Sequence, residues 1–196
     1  MSEKNCRVVL TGGPGGGKTT AADLYRREIG DEVVIVPEAA TLLYSGGFPR
    51  GGENGVRRAT QRAIYHVQLN LEDAQSAHYH SRVLLCDRGT VDGAVYWPDT
   101  PDQFFKHLGT TLAKELSRYD AVIFFETAAV GGISIEGGNP TRIETIEQAL
   151  QIDSKLKALW SQHPNFVFVP HEKSFIKKVN TGLQKLAEIV AQQRPK

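Results

Sequence analysis

The chain has 196 residues, of which 40% are hydrophobic and 23% are charged, and its formal net charge is +1. This length suits one globular domain that is large enough to enclose a cleft, so we expect a single domain over residues 1–196. A nearly neutral chain lacks the strong field that recruits nucleic acid or an anionic membrane, and we expect no stable nucleic-acid binding.

Targeting and membrane signals are also missing from the pattern. The two cysteines are isolated from each other, and the N-terminal residues MSEKNC carry no apolar leader. No apolar run approaches the roughly 18 residues of a membrane span. These features predict reduced thiols, a cytoplasmic location and no transmembrane segment.

Apolar runs typical of buried strands alternate along the chain with helical patterns. The predicted strands cover residues 6–11, 32–38, 82–87, 120–126 and 166–170, and the predicted helices cover about 18–29, 57–80, 101–118, 141–161 and 173–192. Strands that are apolar nearly throughout need a sheet covered on both faces. Their alternation with helices favours right-handed crossovers, so we expect a three-layer αβα domain with a five-stranded parallel sheet.

Two glycine-rich segments interrupt this pattern, at residues 45–55 and 127–140. Long loops of this kind in a single domain commonly cover a binding cleft. We therefore expect both segments to be mobile loops over a cleft, and residues 45–62 are a candidate acceptor-side loop. The loop at 45–62 contains four arginines, a residue type that recognises phosphate or carboxylate bidentately. The alternative for each of them is a solvated charge on the surface. These are Arg50, Arg57, Arg58 and Arg62.

A phosphate-binding loop follows the first predicted strand directly. Residues 12–19, GGPGGGKT, match the pattern G-x-x-x-x-G-K-[ST] without exception. Glycines let backbone N–H groups turn inward around an anion, and the next helix adds its positive end. Lys18 is placed to reach the terminal phosphates, Thr19 to ligate Mg²⁺, and Thr20 to make a further phosphate contact. The predicted nucleotide-binding residues are Gly12, Gly13, Pro14, Gly15, Gly16, Gly17, Lys18, Thr19 and Thr20.

Two acidic residues follow apolar strands at the edge where parallel sheets bind ligands. Asp87 ends VLLCD and is a candidate Mg²⁺ ligand opposite Thr19, with helix capping as the alternative. Glu38 ends VIVPE and is a candidate general base for a substrate hydroxyl. Its alternatives are orientation of the metal's water shell or a favourable position at the start of a helix.

Two further arginines are candidates for neutralising charge during phosphoryl transfer. Arg88 follows Asp87 directly and could clamp the transferred group, or form a structural ion pair. Arg142 lies in the expected first turn of the helix at 141–161, where Thr141 and Glu144 fit a capping box. A cation at that end of a helix opposes the dipole, so we expect an anionic partner, either a nearby glutamate or a nucleotide phosphate.

The phosphate loop, VPEAA (36–40), CDRGTVDGAVYW (86–97) and NPTRIETIEQALQIDSKLKALWSQHPNF (139–166) occur in this order. Together they resemble an AAA-type P-loop domain family. This family includes the ribosylnicotinamide kinase domain of the bacterial NAD regulator and a eukaryotic protein implicated in TRP-channel translocation. The resemblance runs from Val8 to about Val190. The segments at residues 86–97 and 139–166 are more specific to this family than the phosphate loop is. The resemblance implies a nucleotide-kinase-like P-loop fold with a lid at about 127–142, in which Asp87 and Arg88 form the "DR" pair and Arg142 is the lid arginine.

These observations favour a Mg²⁺-dependent kinase that transfers the γ-phosphoryl group of ATP to a small, nucleoside-like hydroxyl acceptor. No N-K-x-D motif specifies guanine, so ATP is the expected donor, with GTP as the alternative. A second hypothesis, suggested by the eukaryotic relative, is a nucleotide-dependent switch or adaptor with a protein or phosphoinositide partner. A third is a kinase of polynucleotide ends. The pattern leaves the acceptor and the oligomeric state open.

Overall fold

A computed structural model of the chain describes residues 5–132 and 145–193. Its centre is a parallel five-stranded sheet with the strand order β2-β3-β1-β4-β5. The strands are β1 (Arg7–Thr11), β2 (Val33–Val36), β3 (Val83–Asp87), β4 (Ala121–Phe125) and β5 (Phe166–Val169). The predicted five-stranded parallel sheet is confirmed.

Helices connect the strands on both faces. They are α1 (Lys18–Ile29), α2 (Ala39–Ser45), α3 (Asn54–His78), α4 (Gly93–Tyr96), α5 (Pro101–His107), α6 (Leu112–Leu116), α7 (Ile146–Trp160) and α8 (Phe175–Gln193). Short 3-10 helices cover Gly30–Glu32 and Ala128–Gly131. Within residues 5–132 and 145–193, none of the helices has both the length and the apolar character that crossing a bilayer requires.

The strands bury alternate residues in two separate cores. On one face, Val9, Cys86 and Phe124 pack with side chains of α3, α5 and α7, including the fully buried Trp160. On the other face, residues such as Leu10 pack with α1 and α8. Because successive strand residues point to opposite faces, a sheet with helices on both sides needs apolar residues at nearly every position. The three-layer αβα fold is therefore confirmed.

Strand order places the predicted site at the centre of one sheet edge. β1 lies between β3 and β4, and Leu10 is in register with Asp87. β2 and β3 lie on one side of β1, and β4 and β5 lie on the other side. The connection from β3 to β4 therefore passes across β1, and the direction of the strand order reverses there. Such a reversal opens a crevice at the carboxyl ends of the strands. The phosphate loop after β1, Asp87 at the end of β3 and Glu38 after β2 therefore converge there.

The prediction of one helix over residues 101–118 is wrong, because two short helices, α5 and α6, occupy that stretch. Gly109 has a left-handed φ of 68° between them. The side chain of Thr111 then begins α6 by accepting a hydrogen bond from the backbone N–H of Lys114. A glycine in the left-handed conformation followed by a new N-cap ends one helix and starts another.

The helix expected from residue 141 begins at Ile146, and its capping box consists of Thr145 and Gln148. The predicted capping pair of Thr141 and Glu144 lies outside the described residues. The sequence pattern did not predict the short helix α4.

Candidate functional site

The backbone of the phosphate loop takes conformations that glycine alone adopts readily. Gly12 has a φ of 130° and Gly17 a φ of 85°. A Cβ atom on Gly12 would lie 2.0 Å from the backbone oxygen of Phe125 in β4. Gly17 is the N-cap of α1, whose first turn contains no acidic residue. No acidic side chain in the first turn of α1 therefore occupies the free N–H groups and the positive dipole end beside the loop.

Two side chains from elsewhere in the chain hold carbonyl groups of this loop from outside. The Thr127 hydroxyl donates to the Pro14 carbonyl oxygen. The ammonium of Lys178 in α8 donates to the Gly16 carbonyl oxygen at 3.0 Å and also to the Glu126 carbonyl oxygen. In a planar trans peptide, the C=O of one residue and the N–H of the next point in opposite directions. The N–H groups of the two residues that follow these carbonyls, Gly15 and Gly17, therefore point away from the side chains that hold them.

Asp153 of α7 fastens the start of the loop. Its Oδ1 accepts hydrogen bonds from the backbone N–H groups of Gly13 at 2.7 Å and Thr127 at 2.9 Å. A Cβ on Gly13 would lie 2.6 Å from the same oxygen, so the approach is close. Asp153 thus ties the phosphate loop to the segment after β4. The site predicted from the sequence did not include Asp153, although this residue lies in the segment 139–166 that supports the family resemblance.

Lys18 is buried at the mouth of the loop. Its ammonium donates to the carbonyl oxygens of Gly12 and Gly13, each at 2.8 Å. Burial, together with the charge of Arg88, lowers the pKa of Lys18 to about 7, although the carboxylates of Asp87 and Glu38 act in the opposite direction. A phosphate group beside the ammonium would favour its charged form.

Asp87 and Thr19 form the predicted metal-binding pair. The Thr19 hydroxyl donates to Asp87 Oδ2 at 2.7 Å, while Asp87 Oδ1 is buried without a hydrogen-bond partner among the described residues. Burial, and then the charge of Glu38, raise the pKa of Asp87. A buried carboxylate oxygen without a donor, beside a hydroxyl, is the oxygen set that Mg²⁺ uses together with nucleotide phosphates. The residues present therefore fit the predicted cation.

Arg88 and Glu38 form an ion pair between the ends of β3 and β2. The Arg88 Nε donates to Glu38 Oε1, and the Thr41 hydroxyl donates to Glu38 Oε2 at 2.6 Å. Burial alone would raise the pKa of Glu38, but the charges of Arg88 and Lys18 and the bond from Thr41 outweigh it, so the pKa lies below its ordinary value. The carboxyl group is therefore ionised at neutral pH.

Asp92 organises the turn that carries Arg88. Its Oδ1 accepts from the Thr11 hydroxyl at 2.8 Å and from Arg88 Nη1 at 3.4 Å. Its Oδ2 accepts from the indole N–H of Trp160 at 3.0 Å and from the backbone N–H of Gly89 at 3.3 Å. Asp92 joins β1, α7 and the turn after β3, a role that the sequence pattern did not reveal.

A cavity of about 240 Å³ adjoins the phosphate loop. Five of the predicted site residues lie in its wall: Lys18, Thr19, Glu38, Asp87 and Arg88. Its other walls come from α2, the loop before α3, one face of α3 and α4. The cavity therefore brings the expected phosphate-binding lysine together with the expected base.

The arginines predicted around the cleft separate into different environments. Arg50 and Arg57 line the cavity. Arg58 instead pairs with Asp99, with 2.7 Å between Nη2 and Oδ2, and Arg62 is exposed. Arg142 lies outside the described residues, as does most of the expected lid, of which residues 127–132 are described. Thr20 lies exposed in the first turn of α1.

A family model described as an AAA domain matches residues 7–175, which is most of the chain. The match includes the phosphate loop, the Glu38 and Asp87–Arg88 segments and α7. It is a match to the AAA-type family, and the closer likeness to the ribosylnicotinamide kinase domain stays a prediction. No curated protein matches the chain.

Proposed function

Since the chain belongs to the AAA domain family of P-loop nucleotide-binding proteins, we propose that it is a Mg²⁺-dependent kinase. In this proposal residues 1–196 form one catalytic domain, which transfers the γ-phosphoryl group of a nucleoside triphosphate to a hydroxyl of a small, nucleoside-like acceptor. ATP is the proposed donor, and GTP is the alternative to be tested beside it.

The observation that carries the proposal is the cavity beside the phosphate loop. A protein that merely senses a nucleotide needs a loop and switch segments, but it needs no second cavity beside the terminal phosphate. Here a cavity of about 240 Å³ is lined by Lys18 and by the ion-paired Glu38 and Arg88. Small-molecule sites are concave, with a few convergent polar groups. The arrangement supports a small acceptor held next to the group that it receives.

In the proposed reaction, residues 12–20 bind the phosphates through backbone N–H groups and Lys18. Thr19 and Asp87 would hold Mg²⁺, which supplies charge neutralisation along the phosphates. The acceptor oxygen forms a bond to the γ-phosphorus, and the bond from that phosphorus to the bridging oxygen breaks, which releases the nucleoside diphosphate. The acceptor's hydroxyl proton passes to a carboxylate oxygen of Glu38.

A carboxylate with a lowered pKa is a weak base, but this step does not require a strong one. Phosphoryl transfer passes through a loose transition state in most analyses, so the hydroxyl proton leaves late. Glu38 then orients the hydroxyl before it accepts the proton. Arg88, held by Glu38 and Asp92, supplies positive charge next to the transferred group. Arg142 is the proposed second cation.

The experiment is a measurement of acceptor-stimulated nucleoside diphosphate release. Purified protein with Mg²⁺ and either ATP or GTP is mixed with a panel of nucleosides, nucleotides and polyols, and diphosphate formation is compared with the rate in water alone. A panel member that raises the rate at least tenfold and appears as its phosphate ester supports the proposal. Acceptor-independent hydrolysis, with a partner that binds the triphosphate-loaded form alone, would instead support the regulatory switch.

A further inference from the structure

One face of α3 forms a polar wall of the cavity. Arg57, Thr60, Gln61 and Ile64 all line it. Residues three and four positions apart in a helix are neighbours, with Cβ atoms about 5–6 Å apart, so these side chains form one continuous surface. A stripe at this spacing is apolar when it packs into a core, yet three of these four residues are polar.

Thr60 and Gln61 are buried without a protein partner. Their exposed fractions are 4% and 7%, and neither side chain makes a hydrogen bond with another residue in the described part of the chain. A hydroxyl and a carboxamide can each both donate and accept hydrogen bonds. The fully buried polar atoms that lack a partner among the described residues lie elsewhere, for example at Asp87, so the polar atoms of Thr60 and Gln61 are open to the cavity. Since both side chains line the cavity, the partner that suits them is a molecule inside it.

Arg57 brings positive charge to the same wall. Its Nη2 donates to the neutral Tyr96 carbonyl oxygen at 3.1 Å, and no carboxylate among the described residues pairs with it. The next residue, Arg58, is already paired with Asp99.

The acidic residues that line the cavity are engaged elsewhere. Glu38 and Asp92 contact Arg88, and Asp87 accepts from Thr19. Among the described residues that line the cavity, no carboxylate therefore neutralises the charge of Arg57.

We propose that Arg57, Thr60 and Gln61 recognise an anionic group on the acceptor, either a carboxylate or a phosphate. A guanidinium matches the oxygens of such a group bidentately, and the hydroxyl and carboxamide beside it supply further donors. The acceptor class is then a hydroxyl compound that also carries a negative charge. This inference rests on the proposed kinase function and names its substrate class. A cationic acceptor is disfavoured, because it would meet Arg57 at close range.

The test uses pairs of acceptors that differ by the anionic group. Glycerol is compared with glycerate and with glycerol 3-phosphate, and adenosine with 3′-AMP, each in the presence of Mg²⁺ and ATP. Wild-type kcat/KM for the anionic member should exceed that for its neutral partner by roughly 10- to 100-fold, the effect of a hydrogen bond to a charged group. Arg57→Gln should remove most of this preference through KM, and Gln61→Leu should weaken it. Arg58→Gln, one residue away but outside the cavity, is the matched control and should leave it unchanged.

A binding readout separates this inference from the proposed activity. Thermal stabilisation by each acceptor is measured with a non-hydrolysable ATP analogue present. If anionic acceptors stabilise the wild type and Arg58→Gln but not Arg57→Gln, the recognition site stands even where no transfer occurs. If neutral acceptors are phosphorylated as well as anionic ones, or if Arg57→Gln and Arg58→Gln behave alike, the inference is overturned while the kinase function stands. If no acceptor binds or reacts, both are overturned.

Discussion

The Arg88 guanidinium and the Glu38 carboxylate form an ion pair across the ends of β3 and β2, and each side chain is 18% exposed. Arg88 has a left-handed φ of 72°, a conformation that costs a residue other than glycine about 1–3 kcal/mol. Hydrogen bonds from Gly89 and Arg88 to Asp92 hold the turn in that conformation. The strained backbone directs the Arg88 side chain to Glu38 at the cavity wall, where the proposed acceptor would bind.

Glu38→Gln tests the proposed base. The amide keeps the shape of the side chain but cannot take a proton, and its single oxygen can replace the acceptor for Thr41 or the one for Arg88, not both. General-base catalysis is worth about 10²- to 10⁴-fold, and a late proton transfer places Glu38 at the lower end, so kcat for the acceptor should fall by roughly 10²-fold while nucleotide affinity changes little. Asp99→Asn, which removes a carboxylate paired with Arg58 outside the cavity, is the control. Equal kcat values for Glu38→Gln and the wild type would exclude Glu38 as the base.

Asp87→Asn tests the proposed cation site. The amide keeps the size of the side chain but loses the charge beside Thr19. We expect the Mg²⁺-dependent gain in nucleotide affinity to fall at least tenfold. Affinity in EDTA should stay the same or improve, because a carboxylate that would repel phosphate is gone. Titration of nucleotide binding at several Mg²⁺ concentrations measures both effects. An unchanged Mg²⁺ dependence would contradict the assignment.

Lys178→Met tests the brace behind the phosphate loop. Lys178 is 3% exposed and holds the Gly16 carbonyl, which turns the Gly17 N–H to the opposite side of the peptide. Without this bond the peptide is free to rotate, so nucleotide affinity should fall by roughly 10-fold, the equivalent of one charged hydrogen bond. Lys178→Arg should recover much of the loss.

Lys177→Met is the matched control for this brace, because its side chain is exposed on the same helix. Calorimetric titration of the three variants with ATP separates the effects. If Lys178→Met binds ATP as tightly as Lys177→Met does, the brace has no role in binding.

The lowered pKa of Lys18, about 7, predicts a pH dependence of nucleotide binding. As the pH rises from 6 to 9, the nucleotide-free protein loses this ammonium, and triphosphate affinity should fall by up to tenfold per pH unit above 7. Binding above pH 7 should take up a proton. Burial also lowers the pKa of Lys178, to about 8. The profile is therefore repeated in Lys178→Arg, where the transition near pH 7 should persist, and an affinity that is flat from pH 6 to 9 would contradict the prediction.

The same group affects the stability of the nucleotide-free protein in the opposite direction. In the unfolded chain Lys18 keeps its ordinary pKa of 10.5, so between about pH 7 and 10.5 the unfolded state binds more protons at this site than the folded state. The contribution of Lys18 to the free energy of unfolding therefore rises with pH over that window. Urea unfolding at pH 7 and pH 9, compared between the wild type and Lys18→Met, measures it.

Local patterns in the sequence were sufficient to predict the sheet and the loop. Strand runs, the glycine pattern and the acidic residues that follow strands are features of neighbouring residues, and parallel strands bring their carboxyl ends to one edge. The helix over 101–118 failed because Gly109 stands inside a pattern that is otherwise helical. A single glycine does not by itself distinguish a weakened helix from a break.

The supports of the site could not be predicted, because each depends on contacts between distant parts of the chain. Gly13 and Asp153 are 140 positions apart, and Gly16 and Lys178 are 162 apart. A polar residue in an amphipathic helix ordinarily faces solvent. Nothing in the pattern of α8 therefore distinguished the buried Lys178 from its exposed neighbour Lys177.

The fate of the γ-phosphoryl group tests the central claim most directly. The protein is incubated with Mg²⁺ and ATP labelled in the γ-phosphate, together with the acceptor panel, and the label is separated into inorganic phosphate, organic phosphate and protein. We predict that label appears in a phosphate ester of a small hydroxyl compound, and that Lys18→Met and Glu38→Gln abolish or greatly reduce it. Label found in inorganic phosphate alone, at a rate that no acceptor changes, would contradict a kinase function.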